Sequence, residues 1–347
     1  MNLRHVSVIL REGKGGSWDC RGASWCCAYK GDDETLYLYY SGFGEEKNGT
    51  EWSIGLAKSK DGLSFNKVSE PILEHSSFCS FRAWTPAVFR FKNRFFMIFA
   101  GSPRRGLGGR IGIAWADDPD GPFKTIRELL KPELPWEGGG IDLGPNVLSI
   151  SEDEFLFYYS NHSISRREQY LNMMRLALRR GIGAISRKDR YRYVRRRIGI
   201  AKIKIRGLSK WSIEVYRYEG NPLIHLNGSL GEWNESLFCP GCLKVGEHYY
   251  MFPAASTYSI GFPYRQYIGL MRSESPYFKS ALKGILIDGE KERASIMPSA
   301  KSQLALDTPS PVLNDDGEVC LYYSVMDRDE GIWRVALSKF HLAEINI

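Results

Sequence analysis

Short aromatic-rich runs recur along the chain, separated by polar turns, with the alternation or the unbroken apolar stretches that are typical of β-strands. Five of these runs share a common form: Leu36–Ser41, Phe95–Ala100, Phe155–Ser160, Tyr249–Phe252 and Cys320–Ser324. Each follows another β-like run across a short turn of hairpin composition, such as Lys92-Asn93. The pattern predicts five repeated units, each opening with a β-hairpin.

A third strand with a repeated Ile-Gly signature follows the hairpin in four units, and a weaker version follows it in the fifth: Ile54–Ala57, Ile111–Ala114, Ile198–Ala201, Ile268–Met271 and Trp333–Leu337. A tight turn and an aromatic residue then predict a fourth strand. Four strands in each of five units predict an all-β, five-bladed β-propeller. We expect one domain over 1–347, with blades at about 18–80, 81–135, 139–225, 232–290 and 305–342, and with residues 1–10 supplying the outer strand that closes the ring.

Charge is concentrated in one insertion, residues 164–197, which interrupts blade 3. Residues 166–197 carry eleven Arg and one Lys against one Glu and one Asp, so the rest of this +7 chain is slightly acidic. Residues 168–180 have helical spacing, with Gly181 as a stop, which predicts a partly helical insertion. Because few aromatic residues are interspersed, we expect no nucleic-acid binding. A homo-oligomer contact, or a contribution to the pocket rim, is the preferred interpretation.

Composition narrows the class of protein further. With 43% hydrophobic and 13% aromatic residues, the chain can bury a large core, which excludes a disordered protein. No segment has the apolar length of a signal peptide core or a membrane span, so we expect a cytoplasmic protein without membrane contact. The seven cysteines indicate reduced thiols. Because Cys239 and Cys242 have metal-ligand spacing but no second pair, no metal or cofactor is predicted, although a calcium ion in the central channel is possible.

Acidic and aromatic residues gather before the first strand of each unit, where a propeller has the mouth of its central funnel. The candidates are Trp18, Asp19, Arg82, Trp84, Asp142, Glu232, Trp233, Glu235 and Asp307. His162, after the second strand of unit 3, could reach the same place. Paired carboxylates with aromatic walls are what glycoside hydrolysis requires, because one carboxyl group must donate a proton while another stays ionised. Trp faces suit the flat faces of a sugar ring.

The five-unit repeat, the run Ile54–Phe65 and the Tyr-Tyr-Ser strands resemble the five-bladed propeller glycosidases, the superfamily that includes glycoside hydrolase families 43, 62, 32, 68 and 130. The resemblance covers nearly the whole chain except the insertion. By resemblance to family 43, Asp19 would be the general base, Asp142 would tune the acid and orient substrate, and Glu235 would be the general acid, with Glu232 as its competitor. These three are the predicted catalytic residues.

The predicted function is therefore glycoside hydrolysis of small oligosaccharides or glycosides, with inversion at paired carboxylates. The substrate-binding set is Trp18, Arg82, Trp84, His162, Glu232, Trp233 and Asp307. Two alternatives stay open at this point. One is a glycoside phosphorylase or a retaining, fructosidase-like enzyme on the same fold, and the other is a non-catalytic sugar-binding or assembly propeller.

Overall fold

A computed structural model describes residues 3–47, 49–163, 170–171, 173–174, 177–178, 181, 195–207, 212–257 and 264–344. In these ranges the chain is almost entirely β-structure, as the sequence predicts. Most of the predicted insertion, 164–197, lies outside the described residues, so its predicted role does too. The described positions between 170 and 178 have helical backbone.

The strands pair in five antiparallel groups. The first group contains β2 (Gly22–Lys30), β3 (Leu36–Lys47), β4 (Thr50–Ser59) and the short β5 (Asn66–Lys67), and β6 (Leu73–Glu74) joins the second group. The second group contains β7 (Arg82–Phe91), β8 (Arg94–Ser102), β9 (Arg110–Ala116) and β10 (Phe123–Leu130). The third group contains β11 (Gly140–Ser149), β12 (Glu154–Ser163), β13 (Ile198–Arg206) and β14 (Ser212–Arg217). The fourth group contains β15 (Ser236–Val245), β16 (His248–Thr257), β17 (Arg265–Ser273) and β18 (Leu282–Asp288).

The fifth group joins the two ends of the chain. It contains β19 (Leu304–Leu313), β20 (Glu318–Asp327) and β21 (Trp333–His341), and β1 (Arg4–Leu10) pairs antiparallel with β21. Besides the helical positions between 170 and 178, the described ranges contain the short helix α1 (Arg293–Ile296) and 3₁₀ turns at Ser77–Cys79, Pro135–Glu137, Ile224–Leu226 and Leu342–Glu344. None of the described helices is long and apolar enough to cross a membrane.

The hydrophobic core is divided into five main clusters, each between two neighbouring groups. They lie between groups 1 and 2, 2 and 3, 3 and 4, 4 and 5, and 5 and 1. The first strands of the groups, which we call the inner strands, touch one another in the same cyclic order: β2, β7, β11, β15, β19 and again β2. Because each group buries one face against the next, burial of apolar surface holds the whole cycle together.

The repeated Ile-Gly signature has a packing explanation. A β-carbon at Gly55 would lie 2.6 Å from the Trp18 ring, and one at Gly199 would lie 2.6 Å from the Trp136 ring. Gly112 and Gly269 stand in the same relation to Phe78 and Trp233. In each case an aromatic residue from the loop before the inner strand lies flat on the third strand, and only glycine leaves room for it.

Candidate active site

The five inner strands bring one residue each to a common level, which we call the mouth layer. Each of these residues pairs with a residue of the second strand of its group, at the end of the aromatic run or just beyond it. The pairs are Ser24 with Ser41, Trp84 with Ala100, Asp142 with Ser160, Phe238 with Ala254 and Asp307 with Ser324. The register shifts directly after this level in four inner strands and one residue later, after Leu143, in β11. Bulges of this kind re-aim side chains and are frequent beside active sites.

The residue that follows each mouth-layer residue donates its backbone N–H to one of two kinds of acceptor. In groups 1, 2 and 4 it donates to a serine of the preceding group: Trp25 N to Ser324 Oγ at 2.8 Å, Thr85 N to Ser41 Oγ at 2.9 Å and Cys239 N to Ser160 Oγ at 3.4 Å. In groups 3 and 5 the preceding group offers alanine instead, and the carboxylates of Asp142 and Asp307 accept this bond. The serines of the Tyr-Tyr-Ser runs therefore link neighbouring groups.

Asp142 is the most heavily hydrogen-bonded carboxylate of the layer. Its Oδ1 accepts hydrogen bonds from Trp84 Nε1 at 2.9 Å, from Thr85 Oγ1 at 3.2 Å and from Leu143 N at 3.0 Å. Its Oδ2 lies 3.3 Å from Arg196 Nη2 and 3.6 Å from His162 Nδ1. Burial raises the pKa of Asp142, but the hydrogen bond and charge of His162 and the charge of Arg196 outweigh it and hold the pKa well below its usual range. Asp142 is therefore ionised.

Arg196 is a site residue that sequence reasoning missed. Its guanidinium stacks 4.3 Å from the centre of the Phe238 ring, and its Nε donates to Asn161 O at 2.9 Å. The side chain is buried, and it acts at the site because β13, which begins two residues later, pairs with β12. In the sequence it is one of eleven arginines in the charged window, so only its place just before the third Ile-Gly signature could have singled it out.

Asp307 shares the level of Asp142 and differs from it in pKa. Thr308 donates to Asp307 Oδ1 from its backbone N at 2.7 Å and from its Oγ1 at 3.0 Å. Burial raises the pKa of Asp307 to about 6; the charge of Arg196 lowers it and the charge of Asp142 raises it. Cys239 lies beside both aspartates, and burial raises its pKa far above the usual value, so its thiol stays protonated.

Four tryptophans form an aromatic wall beside this layer. The Trp25 ring lies 5.6 Å from that of Trp52 and 6.2 Å from that of Trp333, and the Trp52 ring lies 5.9 Å from that of Trp84. Trp84 is buried, whereas the other three are partly exposed. Arg82 stacks 3.9 Å from the centre of the Trp52 ring and pairs with Glu51. Arg82 and Trp84 are thus brought together with Asp142.

The predicted base, Asp19, lies in a different cluster. Its carboxylate pairs with Lys67 Nζ at 2.5 Å and accepts hydrogen bonds from Tyr40 at 3.0 Å and Ser17 at 2.8 Å. None of these residues is a partner of Asp142. Glu137 occupies the corresponding place in the third group, accepting a hydrogen bond from Tyr159. Trp18, which precedes Asp19, packs on Gly42 and Gly55 and donates to Ser69 O.

The fourth group places its three predicted residues at the loop before β15. Glu235 is buried, and its Oε2 accepts a hydrogen bond from Gly231 N at 2.8 Å, while its backbone oxygen accepts one from Arg195 Nε. Glu232 is exposed and accepts from Ser229 N at 2.8 Å. Trp233 packs on Gly269. The backbone of Glu235 thus lies beside the segment that carries Arg196.

No group of three or more His, Cys, Asp or Glu side chains in the described ranges is arranged to hold a metal ion. Cys239 and Cys242 are both buried and both free. The carboxyl groups of the mouth layer can supply acid and base catalysis, with an arginine and aromatic rings around them.

Several solved structures are similar to this chain. A thermostable family-43 glycoside hydrolase matches with a TM-score of 0.58 and 15% identity over 91% of this chain and 88% of the other. The endo-arabinase of Bacteroides thetaiotaomicron VPI-5482 matches with a TM-score of 0.56 and 11% identity over 93% and 96%. The α-L-arabinanase of Cellvibrio cellulosa, complexed with arabinohexaose, matches with a TM-score of 0.54 and 14% identity over 92% of each chain.

Comparison with curated protein sequences gives no match. The sequence profile described as glycosyl hydrolases family 43 matches residues 21–228, which is more than half of the chain. The suspected superfamily of β-propeller glycosidases is thereby confirmed, and so is the class of enzyme. The chain belongs to the family-43 glycosyl hydrolases.

Proposed function

We propose that this protein hydrolyses glycosidic bonds in small oligosaccharides or glycosides at the mouth layer, with its five strand groups acting as the blades of a five-bladed propeller. The observation that carries the proposal is Asp142, a buried and ionised carboxylate that holds three hydrogen bonds on one oxygen and Arg196 on the other. A fixed negative charge of this kind stabilises the positive charge that develops at the anomeric carbon in glycoside hydrolysis.

The aromatic wall supports a sugar as the ligand. Trp25, Trp52 and Trp333 are partly exposed, and Trp52 contacts Trp84, which donates to the ionised carboxylate. Their rings offer the flat apolar faces on which the C–H faces of a sugar ring pack. Arg82, held by Glu51, supplies hydrogen-bond donors at the edge of the wall for sugar hydroxyls. His162, whose side chain is 46% exposed, offers a further polar contact next to Asp142.

The substrate class follows from the similar proteins. They include an endo-arabinase, an α-L-arabinanase complexed with arabinohexaose and an α-L-arabinofuranosidase of Fusarium graminearum. We therefore propose arabinofuranosides and short arabino-oligosaccharides as substrates. The inverting mechanism requires two carboxyl groups about 6.5–9.5 Å apart with a water between them. The family resemblance assigns the base to Asp19 and the proton donor to Glu235.

A substrate panel tests the function directly. The wild type is incubated with aryl and oligomeric arabinofuranosides, xylosides, galactosides and fructosides, with and without inorganic phosphate. We expect hydrolysis of arabinofuranosides without phosphate, and a loss of about 10²-fold or more in kcat for Asp142→Asn, because the carboxylate charge is removed. The matched control is Asp118→Asn, a change in the turn between β9 and β10.

Each other outcome contradicts the proposal in a distinct way. Turnover that requires phosphate identifies a phosphorylase. Binding of arabino-oligosaccharides without turnover identifies a sugar-binding propeller. Full activity of Asp142→Asn shows that the reaction takes place elsewhere. If NMR of the released product shows a retained anomeric configuration, inversion is excluded.

A cytoplasmic location and a homo-oligomer held by the insertion are proposals from the sequence. Deleting residues 166–193 keeps Arg195, Arg196 and Arg197, so the partner of Asp142 stays in place. If the insertion makes the oligomer contact, light scattering gives a larger mass for the full chain than for the deletion variant. Equal masses contradict this role.

A further inference from the structure

The two aspartates of the mouth layer are equivalent in position and unequal in environment. Asp142 in β11 and Asp307 in β19 both lie opposite a serine of the second strand, and each accepts the N–H of the following residue. The pairing thus places them at the same level of their strands, and a register shift follows in each strand, directly after Asp307 and one residue after Asp142. Two carboxyl groups at one level of a funnel are the arrangement from which acid and base roles are assigned.

The carboxyl oxygens of Asp142 and Asp307 differ in their hydrogen-bond partners. Both oxygens of Asp142 have partners, including Trp84 on Oδ1 and Arg196 on Oδ2. In Asp307 both hydrogen bonds, from Thr308 N and Thr308 Oγ1, end on Oδ1. Across the described part of the chain, Asp307 Oδ2 receives no hydrogen bond, so it can carry a proton and present it to a ligand.

Three charged or titratable groups face Asp307: Arg196, Asp142 and Cys239. Burial is the largest influence on its pKa and raises it, the nearby Asp142 charge raises it as well, and Arg196 opposes them. The Cys239 thiol is neutral and contributes no charge. At pH values up to about 6 Asp307 therefore holds its proton while Asp142 is ionised.

We propose that Asp307 is the proton donor of the glycosidase reaction, an inference that rests on the proposed function. As the bond between the anomeric carbon and the glycosidic oxygen breaks, its electron pair goes to that oxygen, which takes the proton from Asp307 Oδ2. Water adds its oxygen to the anomeric carbon and loses one proton to solvent, from which Asp307 is reprotonated. The Asp142 carboxylate stabilises the positive charge between the two events.

The residue that the family resemblance assigns to this task differs from Asp307 in its surroundings. The Oε2 of Glu235 accepts a hydrogen bond from Gly231 N in its own loop. Glu235 also precedes β15 and lies three residues before Phe238, the mouth-layer residue of that strand, whereas Asp307 lies in the layer itself. The contrast between Asp307 and Glu235 is what the experiment has to resolve.

Leaving-group dependence separates the two candidates. A strongly activated leaving group of an aryl arabinofuranoside, such as 2,4-dinitrophenolate, departs without a proton. A 4-methoxyphenyl or sugar leaving group needs one. For Asp307→Asn we expect a loss in kcat of about 10²-fold or more with the poor leaving groups and less than about 10-fold with the activated one. The isosteric Asn keeps an oxygen for Thr308 N–H. Glu235→Gln is the matched comparison, and we expect no dependence on the leaving group from it.

A second variant retains the carboxyl group. Thr308→Val removes the Oγ1–H donor that favours ionisation of Asp307, so the alkaline limb of the pH profile should move to higher pH. The role of Asp307 is overturned if Glu235→Gln shows a leaving-group effect and Asp307→Asn shows none. It is also overturned if the alkaline limb of the pH profile does not move in Thr308→Val. Failure of the wild type to hydrolyse even the activated substrates overturns the proposed function, and this result is distinct from both.

Discussion

The indole Nε1 of Trp84 donates a 2.9 Å hydrogen bond to Asp142 Oδ1, and this bond joins β7 of the second group to β11 of the third. A donor from a neighbouring group thus fixes the orientation of the carboxylate at the centre of the candidate site. Hydrogen bonds to the ionised form lower a carboxyl pKa, so Trp84 contributes to keeping Asp142 charged. The aromatic wall and the acid are therefore one unit rather than two neighbouring features.

Replacing Trp84 with Phe tests this coupling. Loss of the Nε1–H removes a hydrogen bond to a charged group, worth about 1.5–3 kcal/mol, so the pKa of Asp142 rises. We expect the acid limb of the kcat profile to move up by about one pH unit. Trp136→Phe is the control, because its buried Nε1 has no hydrogen-bond partner among the residues that the structure describes. Equal shifts of the limb in both variants would show that ring packing, and not the hydrogen bond, is responsible.

The sequence predicted the all-β class, and the reason is local. Aromatic runs, hairpin turns and the Ile-Gly signature are short-range patterns, and each maps onto a strand or a turn. Asp142 was also identified from its place before an inner strand. Arg196 was missed because its contact with Asp142 joins positions 54 residues apart, within a run of arginines that all look alike. The sequence did not show that the Trp18 ring lies on Gly55, and the role of Trp18 in sugar binding stays a prediction.

Asp307 should lower the stability of the folded protein at neutral pH. Its pKa is raised from 3.8 to about 6 on folding, so the folded state binds the proton more tightly than the unfolded state. The contribution of the protonated Asp307 side chain to the free energy of unfolding is fully present below about pH 4. It is lost as the pH rises from about 4 through 6, which lowers the free energy of unfolding by about 3 kcal/mol.

Replacing Asp307 with Asn should remove this pH dependence. Thermal unfolding at pH 4 and pH 8 measures it, and we expect Asp307→Asn to raise the melting temperature relative to wild type at pH 8 more than at pH 4. Asp315→Asn, a change of an exposed carboxylate in the turn between β19 and β20, should give no such difference. A gain that is the same at both pH values would mean that the carboxyl group of Asp307 titrates normally.

A serine hydroxyl that accepts a hydrogen bond from a neighbouring strand group should contribute more to the free energy of unfolding than a buried serine hydroxyl without such a bond. In Ser41→Ala the buried N–H of Thr85 loses its acceptor at 2.9 Å, which costs about 1–3 kcal/mol. Ser24 is equally buried, but in the described part of the chain its Oγ has no hydrogen-bond partner, so Ser24→Ala should be close to neutral. Urea unfolding of both variants measures the contrast. Similar losses would show that the hydroxyl volume matters and that the link does not.

The Ile-Gly signature predicts a specific packing penalty. In Gly199→Ala the new β-carbon would lie 2.6 Å from the Trp136 ring. That ring cannot move freely because its neighbour Glu137 is held by Tyr159 at 2.8 Å and by Arg217 at 2.9 Å. We expect a loss of about 1–3 kcal/mol in the free energy of unfolding.

A double-mutant cycle shows whether the clash is the cause of this loss. Trp136→Leu removes the ring and no hydrogen bond of the described ranges, where Trp136 Nε1 has no partner. In that background Gly199→Ala should cost much less than in the wild type. Gly15→Ala, where a β-carbon would meet nothing within 4 Å, should leave stability unchanged. If the two costs of Gly199→Ala are equal, the glycine serves the strand backbone and not the ring, and the repeated signature needs another explanation.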